Sequence, residues 1–359
     1  MSEWKTAAFR RLGGLAALLA FLQLEPVLAA AESLKPSSAD WFRGYLQDSR
    51  LVRLANGRSL NLYCVGSGSP TVILEAGLGG WAYDWWAVQG SVATMTRVCS
   101  YDRAGMGMSP PGPFPRDTKA QTADLEAVLA AAKVPPPYVL VGHSMGAYNV
   151  RVFAKRHRRD VAGVLFVDPS TENQLSALYA ALPDMAESDK RSVSRIRACA
   201  DVRRSAEIAR DCARSAPSDF PPALAEAFAK TQRLTASQTF KSEVENFMTA
   251  NSRQVRAESR SFGDMPLIVL TRTERSTNMP EEQARLELKL WNAMHARLAR
   301  LSTQGVHRPV PGAGHYIQLD KPETVVAAIA EVVASARRRA QHHERGILSD
   351  DPSCGQFID

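Results

Sequence analysis

Apolar residues along the chain alternate between two spacings from Leu51 onward. RLVRLANG and RSLNLYCVGSGS are short strand-like segments around Asn56-Gly57, a dipeptide suited to the positive φ of a tight hairpin, and predict two antiparallel strands. TVILEAG is apolar almost throughout, as a strand buried on both faces is. TRVCSYDR, YVLVGHS, VAGVLFVDPS, MPLIVLTR and GVHRPVPGAG read as further strands. Between them, TKAQTADLEAVLAAAKV, AYNVRVFAKRH, EEQARLELKLWNAMHARLARLS and PETVVAAIAEVVASARRRA have helical character. Strands and helices in this rhythm predict an α/β protein with a mostly parallel sheet and right-handed crossovers.

The alternation stops over 171–262, which is polar, helix-prone and without a convincing strand pattern. This stretch reads as a helical insertion that divides the α/β core into 32–170 and 263–340, with a disordered tail over 341–359. The first residues have a different layout. Lys5, Arg10 and Arg11 precede an apolar stretch from Leu12 to Val27, followed by Ala29-Ala30-Ala31. That is the pattern of a secretory signal peptide over 1–31, cut after Ala31 or Ala29. Gln23 and Glu25 interrupt the apolar stretch, which falls short of the roughly 20 apolar residues of a spanning helix. The expectation is an exported protein, periplasmic or secreted, with no stable membrane insertion after cleavage; an uncleaved N-terminal tether is the alternative.

With 45% hydrophobic and 23% charged residues, the chain has the composition of an ordinary globular protein. The formal charge of +7 becomes +6 without residues 1–31, which carry three basic and two acidic side chains. The excess gathers at Arg156, Arg158 and Arg159, over 191–215, and at Arg337-Arg338-Arg339, beside no nucleic-acid motif. A solvated surface is the reading, without a nucleic-acid partner. The five cysteines show no zinc spacing. Cys199 and Cys212 lie 13 apart, a spacing that a local disulfide can close, and Cys354 is left over in the tail.

The chemistry is concentrated at Gly142-His143-Ser144-Met145-Gly146, where a strand breaks and a helix begins. Glycines at both ends of the pentapeptide leave a strained turn and close strand-helix packing sterically possible, so the segment reads as a nucleophile elbow presenting Ser144.

VGHSMG together with EAGLGGW, SYDRAGMGMSP and GAGHYIQLDKPE, in this order, resembles the α/β-hydrolase superfamily over 51–340. The resemblance implies an α/β-hydrolase fold: a mostly parallel eight-stranded sheet with helices on both faces and a helical cap inserted after strand six. It implies Ser144 as nucleophile, His315 as its base, and the backbone N–H groups of Leu78 and Met145 as the oxyanion hole. His143 packs or lines the pocket in this reading; His157, His295, His307, His342 and His343 have surface or tail positions. The acid has two candidates, Asp168 after the sixth strand and, as the alternative, Glu274 after the seventh. Ala76 departs from the histidine common before the oxyanion residue. Trp81, Tyr83, Trp85 and Trp86 either wall an acyl pocket or pack in the core. Cys64 and Cys99 fall on strands that this fold sets side by side, where they can bridge or remain buried thiols.

Serine as nucleophile argues against the epoxide hydrolases and dehalogenases of the superfamily, which use aspartate. The expectation is an exported serine hydrolase acting on a carboxylic ester or related acyl bond of a small molecule, through an acyl-enzyme, with no cofactor and no metal. Acyltransferase, peptidase and C–C hydrolase chemistry remain as alternatives, as does a non-catalytic ligand-binding receptor.

Overall fold

A computed structural model describes residues 38–200, 222, 225–226, 235–258 and 261–349 of the 359. The expected signal peptide, Cys212 and Cys354 lie outside the described residues. Eight strands, β1 (Arg50–Arg53), β2 (Ser59–Val65), β3 (Thr71–Glu75), β4 (Val98–Tyr101), β5 (Tyr138–His143), β6 (Val161–Val167), β7 (Leu267–Arg272) and β8 (Gly305–Val310), form one sheet in the order β1-β2-β4-β3-β5-β6-β7-β8. Only the β1–β2 and β2–β4 pairs are antiparallel. At the β1–β2 hairpin Gly57 has φ +82°, and the Leu54 N–H donates to the Arg58 carbonyl.

Successive side chains of the central strands enter two separate cores, as the two-residue period of a strand requires. On β5, Tyr138 and Leu140 join a cluster with Leu125, Val128, Val150 and Phe153 of α3 (Thr118–Ala131) and α4 (Gly146–Arg156). Val139 and Val141 face the opposite side, against Val88 and Val92 of α2 (Trp86–Ala93) and Val325, Ile329 and Val332 of α11 (Pro322–Ser349). This is why β3 and β5 are buried at every position.

A helix ahead of the hairpin, α1 (Ser38–Asp48), is not marked by the sequence pattern. Its Trp41, Phe42 and Tyr45 pack on Tyr63, Trp81 and Met106, with Tyr83 and Trp86 partly buried against them. Trp85 lies fully buried in the α2 face of the core. The aromatic group after Leu78 is therefore core packing.

Between β6 and β7 the described residues form four helices, α5 (Gln174–Ala181), α6 (Pro183–Ala200), α7 (Thr235–Thr249) and α8 (Asn251–Glu258). The closing helix corrects one expectation: α11 runs past Ala340 to Ser349 instead of giving way to a disordered tail at 341. Arg, Ala, Gln and Glu in RRRAQHHERG are good helix formers, and no proline interrupts them before Pro352. α9 (Glu281–Ala299) and the short α10 (Ile317–Asp320) complete the order. Among the described residues no helix is long and apolar enough to cross a membrane.

Cys64 and Cys99 stand directly opposite each other on β2 and β4 and form a disulfide, with Cα atoms 4.1 Å apart. Cys199 is also disulfide-bonded.

Candidate active site

Three side chains from the ends of β5, β6 and β8 converge. Ser144 follows β5 directly at φ +51°, in the left-handed region that a non-glycine residue enters only when its surroundings hold it there. A Cβ on Gly142 would meet Ala147 backbone at 3.0 Å, and one on Gly146 would meet the carbonyl oxygens of Ala76 and Glu75 at 2.6 and 2.7 Å. The two elbow glycines thus let α4 start against β5 and the end of β3, leaving the Ser144 hydroxyl at the end of the strand.

His315 lies in the loop after β8, its Nε2 3.0 Å from Ser144 Oγ and its Nδ1 2.6 Å from Oδ2 of Asp168. Asp168 immediately follows β6 and is fully buried. Its Oδ1 accepts the Arg272 amide at 3.0 Å and Trp291 Nε1 at 2.9 Å, while Arg272 Nε is 3.5 Å from Oδ2. Burial alone raises the pKa of this carboxyl. The hydrogen bond and charge of His315, joined by His295 and the Arg272 amide, outweigh it and hold Asp168 below its ordinary value. Arg272 is fixed in turn by two bonds to Glu287, at 2.5 and 2.7 Å.

Glu274, the other carboxylate considered, is not brought to this cluster. It is exposed on the loop after β7, and its backbone bonds to Ala313 and Arg272. Among the described residues its carboxylate accepts no hydrogen bond. A carboxylate left in water has little hold on the orientation of an imidazole.

His143 has a positional role that the sequence did not single out. Its ring is buried, and its Nε2 lies 2.9 Å from the His315 carbonyl oxygen. Burial, then the nearby His315, lowers its pKa to about 3, so the ring is neutral and donates Nε2–H to that carbonyl. His295 is likewise buried, its pKa lowered to about 4 chiefly by desolvation, and contacts Thr271 and the Pro169 carbonyl. It belongs to the support of the Asp168 turn rather than to a surface.

Leu78 and Met145 flank the serine. A Cβ on Gly77 would meet Ser144 Cβ at 3.1 Å and His143 Nδ1 at 2.9 Å, so the 76–78 loop rests on the elbow through a bare glycine. Met145 begins α4. Among the described residues neither the Leu78 nor the Met145 amide has an internal hydrogen-bond partner. Leu78 and Phe247 pack on a buried group of Met145, Tyr148, Val152 and Val255, which places helices α7 and α8 of the insertion beside the serine.

Two antiparallel strands leading into a parallel sheet, with serine, histidine and aspartate grouped at the strand ends, make this an α/β-hydrolase fold. The chain belongs to the alpha/beta hydrolase family, whose profile matches residues 67–328. It is 25% identical over 275 residues to the uncharacterized protein YqjL of Bacillus subtilis, an overlap of 77% of this chain and 88% of that one. Among solved structures it resembles a thermophilic esterase from Thermogutta terrifontis, with a TM-score of 0.53 and 21% identity over 80% of this chain and 98% of that one. It also resembles the enol-lactonase from Burkholderia xenovorans, with a TM-score of 0.52 and 17% identity over 80% and 99% of the two chains. At these identities the structural likenesses establish the fold.

Proposed function

We propose that the protein is an exported serine hydrolase that cleaves a carboxylic ester of a small molecule through an acyl-enzyme on Ser144. The observation that carries the reading is the hydrogen-bonded row Ser144 Oγ, His315, Asp168, with contacts of 3.0 and 2.6 Å. Asp168 accepts Nδ1–H and so fixes the tautomer in which Nε2 can accept the serine proton. As Oγ attacks the ester carbonyl, the new C–O bond forms and the proton passes to Nε2. The oxyanion is met by the N–H groups of Leu78 and Met145. Collapse breaks the bond to the alkoxy group, which leaves as the alcohol with the proton from His315. Water, deprotonated by the same imidazole, then releases the acid and restores Ser144.

Helices α5–α8 act as the cap in this reading, supported by the contact of Phe247 and Val255 with the residues around Met145. Export is supported by the N-terminal signal-like layout and by the Cys64–Cys99 disulfide, a bond that persists in oxidising compartments.

The test is a fluorophosphonate probe followed by intact mass, on the protein and on Ser144→Ala. Oγ displaces fluoride, so one covalent adduct that the variant lacks is expected, together with ester turnover that the variant loses. Absence of an adduct and of turnover in the folded wild type would refute the reading.

A further inference from the structure

A buried charge cluster reaches the 76–80 loop from two sides. Arg103, just after β4, is 1% exposed, and Glu243, on α7 of the insertion, is 0% exposed. Arg103 Nη2 donates to the carbonyls of Gly77 and Gly80 at 2.5 and 3.1 Å, and Nη1 to that of Ala76 at 2.8 Å. Glu243 Oε2 accepts the Gly79 N–H at 2.9 Å and Arg103 Nη2 at 3.2 Å. Its Oε1 accepts Arg103 Nε at 2.8 Å and Gln121 Nε2 at 3.0 Å. Glu75 completes the cluster, 3.0 Å from Arg103 Nη1.

These bonds decide where Leu78 points. In a trans peptide the C=O and N–H groups lie on opposite sides. Arg103 on the Gly77 carbonyl therefore turns the Leu78 N–H away from the cluster, and Glu243 on the Gly79 N–H does the same for the Leu78 carbonyl. Both peptide planes flanking Leu78 are pinned, the first also by the Gly80 N–H, which donates to the Gly77 carbonyl at 3.1 Å. The pin on the Leu78–Gly79 plane comes from the insertion, across 164 residues of sequence.

We propose that Glu243 is a positioning residue for the oxyanion loop: by docking on Gly79 and Arg103 it aims the Leu78 N–H, so that seating of α7 and assembly of the oxyanion hole are one event. This rests on the reading of Ser144 as nucleophile and of Leu78 as oxyanion donor. Glu243→Gln tests it without stranding a buried cation, because Arg103 keeps Glu75 as counter-charge. A glutamine that still accepts the Gly79 N–H turns its amide nitrogen toward Arg103 Nε and Gln121 Nε2, donor against donor.

The experiment measures kcat and KM for p-nitrophenyl butyrate per fluorophosphonate-titrated site. Beside them it measures the Ki of a trifluoromethyl ketone, whose carbonyl takes the serine oxygen and becomes a tetrahedral oxyanion. A fall in kcat of about tenfold or more is expected, up to the about 100- to 1,000-fold cost of losing an oxyanion donor outright. KM stays within about threefold, and Ki weakens by a factor matching kcat. If kcat and Ki per titrated site stay within about twofold of wild type, whatever the melting temperature does, Glu243 is only structural and the proposal falls. Should Glu243→Gln not fold, Glu243→Asp carries the same test, because it keeps the charge on Arg103 but withdraws the carboxylate from Gly79. A wild type that neither labels nor turns over would instead refute the reading of Ser144.

Discussion

Asp168→Asn replaces one acceptor of a fully engaged carboxylate by a donor, and the structure indicates which way the amide turns. Oδ1 receives two donors, the Arg272 N–H and Trp291 Nε1–H, at 3.0 and 2.9 Å, whereas Oδ2 faces His315 Nδ1 at 2.6 Å. The asparagine keeps more bonds with its oxygen at the Oδ1 position and its NH₂ toward His315. An amide donating to Nδ1 holds the imidazole in the Nε2–H tautomer, which offers Ser144 a proton instead of a lone pair. In serine hydrolases of this mechanism, the wrong tautomer costs about 10⁴ in kcat. At about 1.4 kcal/mol per decade that is about 5.5 kcal/mol of transition-state stabilisation. The assay is kcat/KM on p-nitrophenyl butyrate for Asp168→Asn and Glu274→Gln, with circular dichroism to establish that both are folded. Glu274→Gln is expected within about twofold of wild type, since its carboxylate is exposed and accepts no hydrogen bond among the described residues. If Ser144 and Asp168 act as one unit, as proposed, adding Asp168→Asn to Ser144→Ala lowers the residual rate little further. The reasoning fails if Asp168→Asn retains more than about a tenth of the wild-type rate, or if Glu274→Gln loses as much as Asp168→Asn.

Acid should destabilise the fold ahead of ordinary carboxylate titration. His143 and His295 are held neutral, with pKa values lowered from 6.5 to about 3 and about 4, so below pH 6.5 the unfolded chain takes up protons that the folded chain refuses. Each histidine then removes at most about 1.4 kcal/mol per pH unit, and the depressed Asp168 adds a loss where it becomes protonated. Urea midpoints at pH 7, 5.5 and 4.5 are expected to fall in that order, and equal midpoints would contradict the assignment. Cys64→Ser with Cys99→Ser opens a bridge between residues 35 apart and is expected to cost about 2–4 kcal/mol in denaturant unfolding. An unchanged unfolding free energy would show that the strand ladder alone holds the β2–β4 pair.

The central β-strands were legible because the parallel core leaves water on neither face: Ile73, Val139, Leu140 and Leu165 each have an apolar residue on both sides, so no polar neighbour blurs the pattern. The elbow and the histidine loop were legible for a related reason, since glycine is demanded by local geometry. Where a residue's role depends on what arrives from far along the chain, the pattern carried no trace. Helix α1 is stabilised by Tyr63 and Trp81, outside its own segment, and was missed. Asp168 and Glu274 both follow apolar strands; what separates them is the Arg272 amide and the Trp291 ring, 104 and 123 residues beyond Asp168. Glu243 is the extreme case. In a polar, helix-prone stretch a lone glutamate reads as a solvated face, yet it is buried against Arg103 across 140 residues. Buried charge is tolerated only where a partner is already in place. The carboxylates that orient this site are therefore the side chains whose position depends most on the completed fold, and least on the residues beside them.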